Sequence, residues 1–97
     1  MTREETIRRL NEHQAEFKRL GVEHLYLFGS VARGEAREDS DVDLFFDHPL
    51  GSLDLFQLMD VKEAAARILG RKTDIMTRRS LHPLLKQQIE STALQVF

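Results

Sequence analysis

The stretch from Gly29 to Phe46, GSVARGEAREDSDVDLFF, limits the fold more than any other part of the chain. An apolar run, Leu25 to Phe28, leads into Gly29-Ser30. A polar excursion follows, and the chain returns through Ser40-Asp41-Val42-Asp43 to Leu44-Phe45-Phe46. Two short apolar and aromatic runs bounded by turn-forming residues read as two strands, paired antiparallel. Asp41 and Asp43 then stand at i and i+2 on one strand, so both carboxylates leave the same face. Two like charges that close repel, and a site that holds them usually also holds a cation. Gly29-Ser30 falls where the first strand gives way to a short helix, roughly Val31 to Gly34, with Ser30 as its cap. Free N–H groups at a helix start, with a small hydroxyl, make an anion site. A phosphate cradle facing a carboxylate pair is what metal-dependent phosphoryl or nucleotidyl transfer needs. Each piece alone has a plainer reading, a common turn or a solvated strand edge. Together they are far more specific.

With 97 residues, 1–97 is expected to be a single domain. A hydrophobic fraction of 41% and a charged fraction of 31% fit a soluble globular protein. The net charge of −2 supplies no basic field to draw the chain onto nucleic acid or an anionic membrane, so direct nucleic-acid binding is not expected. There is no cysteine, which excludes disulfides and thiolate zinc sites and fits a cytoplasmic setting. The first residues, MTREETIRRLNEHQ, have no apolar segment of the signal-peptide kind, and no run approaches the ~20 apolar residues of a membrane span.

Along the chain, residues 2 to 20 read as one helix. Thr2 and Glu5 have capping-box spacing, and Ile7, Leu10, Ala15, Phe17 and Leu20 form an imperfect stripe that Gly21 ends. His24 to Phe28 is the first strand, Glu35 to Ser40 a polar loop, and Asp41 to Asp47 the second strand. His48 to Ser52 is a turn by composition. A long helix, Leu53 to Leu69, follows with Ser52 as its cap. Leu55, Leu58, Met59, Ala65, Ile68 and Leu69 read as its core stripe, and Gly70 stops it. Lys72 to Thr77 is a third strand. A last helix, Leu81 to Ser91, starts after Ser80 with Pro83 in its first turn. Ala93 to Phe97 is an apolar tail, either a short strand or a partner contact. Helices packed against one small sheet make a two-layer α/β domain.

Asp74 is the candidate third acidic ligand, because an aspartate inside an otherwise apolar strand asks for a reason; the plain alternative is a solvated sheet edge. As a carboxylate beside an attacking hydroxyl it could also accept the proton. Arg33 can reach a triphosphate or brace the acidic loop, and the residues do not choose between these. Ser40 orients the loop by hydrogen-bonding its backbone and is counted with Gly29, Ser30 and Arg33 as nucleotide-binding. His13, His24, His48 and His82 have no mutual ligand spacing and are background.

Gly29-Ser30-Val31-Ala32-Arg33-Gly34 followed by Ser40-Asp41-Val42-Asp43-Leu44 resembles the signature of the minimal nucleotidyltransferases, a branch of the DNA polymerase β superfamily. The resemblance extends to the leading helix, the long helix ending in Leu-Gly-Arg-Lys, the strand around Asp74 and the closing segment. Thr73 departs from it, standing where a more apolar β-branched residue is expected. The resemblance implies ATP on Gly29-Ser30 and two Mg²⁺ ions on Asp41, Asp43 and Asp74. It implies attack of an acceptor hydroxyl on the α-phosphate, with pyrophosphate leaving. Stand-alone members of this size resemble the antitoxin half of HEPN–minimal nucleotidyltransferase pairs, which implies a tyrosine of a cognate HEPN ribonuclease toxin as acceptor for AMP. Two other readings compete: an antitoxin that inhibits by binding alone, and a catalytic subunit for a small molecule or RNA.

Overall fold

The alternation of buried and open residues along the strands decides which way the sheet faces. The computed structural model describes residues 2–37, 40–49, 51 and 53–97. Its elements are α1 (Arg3–Glu12), α2 (Gln14–Arg19), β1 (His24–Phe28), α3 (Gly29–Ala32), β2 (Val42–Asp47), α4 (Leu55–Leu69), β3 (Thr73–Thr77), a 3₁₀ turn (Arg78–Ser80), α5 (Lys86–Thr92) and β4 (Leu94–Gln95). The strands form one mixed sheet in the order β3-β2-β1-β4, with β1 antiparallel to β2 and β4 and β2 parallel to β3. The apolar tail therefore supplies an edge strand.

Leu25 and Leu27 of β1, Val42, Leu44 and Phe46 of β2, and Ile75 of β3 point to one face. They pack there with Leu10, Phe17, Val61, Ala64, Ala65 and Leu69 of the helices. A buried leucine or phenylalanine contributes about 1.5–3 kcal/mol to folding, so this helix-covered face supplies most of the stability. The opposite face carries Tyr26 and Phe28, Asp43, Phe45 and Asp47, and Asp74 and Met76, by the two-residue period of strands. Thr73, the departure from the family pattern, is buried and donates its hydroxyl to the Arg71 carbonyl at 3.1 Å, so the core accepts it. Among the described residues no helix is long and apolar enough to cross a membrane.

Local chemistry explains where the elements differ from expectation. The first helix is two. The His13 ring donates from Nδ1 to the Arg9 carbonyl at 2.8 Å, and the His13 amide turns to Leu10 instead, so the regular ladder breaks there. Thr2 does cap α1, its Oγ1 accepting from the Glu5 amide at 3.1 Å. Ser30 does not cap α3. The chain leaves β1 through Gly29, so the helical turn opens at that residue with Phe28 in the cap position. The expected cap Ser52 lies outside the described residues, as do Glu38 and Asp39 of the polar loop and Leu50 of the turn. The cap of α4 is Asp54, in a reciprocal box with Gln57. Gly70 stops α4 with φ +65°, a left-handed conformation open to glycine at no steric cost.

The core stripe of α4 also needs correction, since Leu55 is 67% exposed and Met59 50%. Met59 sits about 200° round the helix from buried Val61, on the far side from the sheet. The last helix begins only at Lys86. Pro83 disfavours the helical conformation at His82 before it, and Leu81 stays extended and buried.

Candidate active site

Strand register brings the acidic residues into one row. Phe28 lies opposite Asp43 in the antiparallel pair, and Asp43 opposite Asp74 in the parallel pair. The carboxylates of neighbouring strands thus share the open face at the end where β1 runs into α3. Asp41 stands one residue before β2, two residues from Asp43 and on the same side.

Gly29 makes the junction possible. Its φ is +77°, and a Cβ placed there would come within 2.2 Å of the Asp43 Oδ2 atom. Glycine is required twice over, by the backbone and by the carboxylate pressed against it. The result sets the first turn of α3 directly beside an acidic side chain. The first amides of that turn have no acceptor within the helix, and Ser30 lies in the same turn. Arg33 follows it, exposed, with its Nε 3.1 Å from the Glu35 carboxylate at the start of the loop.

Electrostatics separate Asp43 from the other carboxylates. Partial burial pushes its pKa above the ordinary 3.8, and the charges of Asp74 and Asp41 push it further; Arg33 opposes them only weakly. Asp43 is therefore held among like charges, and among the described residues no cation forms an ion pair with it. Asp41 faces Lys72, whose Nζ lies 3.6 Å from its Oδ2. Among the described residues no three acidic or histidine side chains are gathered closely enough to form a ready metal cluster. The oxygen-only donor set and the uncompensated charge on Asp43 and Asp74 nevertheless fit a hard divalent cation such as Mg²⁺. Asp41 is turned to Lys72, while strand register sets Asp43 directly opposite Asp74.

Ser40 plays the loop-orienting role read from its type. Its Oγ accepts from the Arg37 amide at 2.8 Å, and its own amide donates to the Arg37 carbonyl at 3.0 Å. The four histidines do not converge on the acidic row. Two groups escaped the sequence reading. One is the Arg71-Lys72 pair that enters β3 against the loop. The other is Arg78, which binds Asp47 with Nε–Oδ1 2.6 Å and Nη2–Oδ2 3.1 Å at the opposite end of the same face. The period-two series Asp41, Asp43, Phe45, Asp47 was the available signal for the second.

A short mixed sheet with an acidic row on its open face, abutting a glycine turn that opens a helix, defines a nucleotidyl-transfer fold. The nucleotidyltransferase domain family matches residues 10–95, and the chain belongs to that family. It is similar to the protein adenylyltransferase MntA of Thermococcus cleftensis, with 36% identity over 97 residues, 98% of this chain and 92% of that protein. It is also similar to a solved structure provisionally described as a minimal nucleotidyltransferase. There the identity is 39%, the coverage 97% of this chain and 95% of that one, and the TM-score 0.82. A chain of the solved complex of a tri-AMPylated Shewanella oneidensis HEPN toxin with an MNT antitoxin shares the fold. Its identity is 23%, its TM-score 0.63, and the match covers 91% of this chain and 70% of that one.

Proposed function

We propose that this chain is a Mg²⁺-dependent protein adenylyltransferase that moves AMP from ATP to a hydroxyl of a HEPN-type toxin and thereby acts as its antitoxin. The observation that carries the proposal is the row Asp43–Asp74 against Gly29, with Asp43 raised in pKa among like charges. The kinship to a protein adenylyltransferase supports the same reaction, and the fold shared with the toxin complex suggests the kind of partner.

In this reading Asp41, Asp43 and Asp74 hold the divalent ions, with Asp41 exchanging Lys72 for metal. When bound, Mg²⁺ neutralises phosphate charge and lowers the barrier at the α-phosphorus. Gly29 and Ser30 present the first turn of α3 to the phosphates, and Arg33, exposed next to that turn, is within the same strip of surface. The acceptor hydroxyl, a tyrosine in this proposal, forms a new O–P bond at the α-phosphorus. The bond to the bridging oxygen breaks, pyrophosphate leaves with that electron pair, and the hydroxyl proton passes to the Asp74 carboxylate. Asp74 serves that role because it lies at the edge of the row, on the last strand of the sheet.

Incubating the chain with a purified HEPN-type partner, Mg²⁺ and ATP labelled at either the α- or the γ-phosphate tests the reaction. The α-label should enter the partner and the γ-label should leave as pyrophosphate. Labelling from the γ-position would replace this proposal with phosphorylation.

A further inference from the structure

Asp41 is delivered by a loop with little apolar anchoring of its own: Arg37 is exposed, and Ser40 and Asp41 are only half-buried. What fixes that loop comes from the two residues that lead into β3, Arg71 and Lys72. Arg71 reaches back with one guanidinium nitrogen, donating from Nη2 to the Ser40 carbonyl at 2.9 Å and to the Arg37 carbonyl at 3.2 Å. These are the two carbonyls at either end of the turn that the Ser40 hydroxyl and amide close from inside. On the other side of Asp41, the Val42 amide donates to the Lys72 carbonyl at 3.1 Å. The aspartate is thus held on both flanks by two consecutive residues of one segment.

The mount itself is rigid. Arg71 stands between Leu69, buried in the core, and Thr73, which is buried and donates its hydroxyl to the Arg71 carbonyl. Three residues beyond Arg71 on the same segment comes Asp74, opposite Asp43. One stretch of chain therefore carries an acidic residue of the row and the clamp for another. Arginine suits the task because its planar fork offers several donors and keeps its charge at any working pH. A lysine would offer its donors from a single, strongly hydrated nitrogen on a flexible stem.

We infer that Arg71 is a positioning residue for the metal site: by gripping the Arg37 and Ser40 carbonyls it holds the loop beside the acidic row, where Asp41 can exchange Lys72 for a divalent ion. The inference rests on the reading of Asp41 as a metal ligand. Arg71 acts here through the loop it grips, so its removal should weaken metal binding while sparing the fold. Outer groups that orient metal ligands typically contribute about 10–100-fold in affinity.

The test measures Mn²⁺ binding by calorimetry and amide exchange at Ser40 by NMR, on the full chain and on Arg71→Ala, Arg71→Lys and Asp41→Asn. Arg71→Ala should weaken Mn²⁺ by about tenfold and speed exchange at Ser40, with a thermal midpoint near wild type. Arg71→Lys should fall between the two. In transfer assays the metal half-saturation of Arg71→Ala should rise, while the rate at saturating metal recovers most of its value. If Asp41→Asn weakens Mn²⁺ but Arg71→Ala does not, the positioning role is wrong and the metal site stands. If Asp41→Asn leaves Mn²⁺ affinity unchanged, the metal reading of Asp41 fails, and the role of Arg71 with it.

Discussion

The two ends of β2 place the same side chain in opposite electrostatic surroundings. Asp43 and Asp47 lie four residues apart on the open face, yet the pKa of one is raised and that of the other lowered. At Asp47, the Arg78 guanidinium donates two hydrogen bonds, also reaches Glu90 of α5 at 2.9 Å, and lies 5.0 Å over the Phe45 ring and 4.9 Å over Tyr26. That cluster ties the sheet to the C-terminal helix. At Asp43 the neighbours are Asp74, Asp41 and a glycine backbone, Arg33 answers the repulsion only from a distance, and among the described residues no cation pairs with the carboxylate. Matched charge builds structure, while unmatched charge held in place by the fold marks where a bound cation would belong.

Breaking the unmatched end should cost activity and spare the fold. Replacing Asp41 and Asp43 together by asparagine should reduce nucleotidyl transfer by at least about 10³-fold. Thermal unfolding of the metal-free double variant should be unchanged or slightly raised, because like charges have been removed. Near-normal transfer by this variant would remove both aspartates from the mechanism.

Gly29→Ala sharpens the same end through geometry. The methyl group meets the Asp43 carboxylate and sits on a left-handed backbone, so either the turn or the aspartate must shift. About 1–3 kcal/mol of stability should be lost on denaturant unfolding, along with most transfer activity. An alanine variant of wild-type rate would show that the close approach of Gly29 to Asp43 has no part in the chemistry.

At the matched end the pattern should invert. Arg78→Met takes from Asp47 its hydrogen-bonded cation in a half-buried site, leaves Glu90 with Lys86 alone, and should cost about 2 kcal/mol on unfolding. Transfer at a temperature where the variant is folded should change far less than with the aspartate variants.

The smallest expected effect is on pH. The Asp43 pKa is raised in the fold, so its contribution to stability is full below the ordinary value of 3.8 and is lost as pH rises through the folded value. The Asp47 pKa is lowered, so its contribution is present above 3.8 and is lost as pH falls through the folded value. Metal-free protein should therefore gain stability as pH falls from neutral towards 4, then lose it below. In Asp43→Asn the first limb should flatten. A melting series in EDTA that shows the same rise in both proteins would assign it to another group.

The strands, the antiparallel pairing of β1 with β2 and the acidic pair were legible because period-two alternation and turn residues act locally. The parallel pairing of β3 with β2, which sets Asp74 opposite Asp43, depends on how α4 carries the chain across the sheet, and no local pattern states that register. The break at His13 and the late start of α5 turn on single side-chain and proline effects that an apolar stripe does not display. Arg71 and Arg78 looked like two of many surface cations. Their roles come from partners some thirty residues away, Ser40 and Asp47, and only the folded chain brings those together. Exposed Leu55 and Met59 were misplaced for the converse reason, since an apolar residue at helical spacing looks the same whether it faces the core or water.

The central claim is that the acidic row performs catalysis and does more than hold a partner. Asp74→Ala alters one carboxylate on the open face and leaves the helices untouched. The decisive measurement is intact mass of a HEPN-type toxin co-purified from cells with either the wild-type chain or this variant. The account predicts a toxin heavier by one or more AMP groups with wild type. With Asp74→Ala it predicts a bound but unmodified toxin and arrested growth. An unmodified toxin in both cases, with growth protected equally, would contradict it and leave inhibition by binding alone.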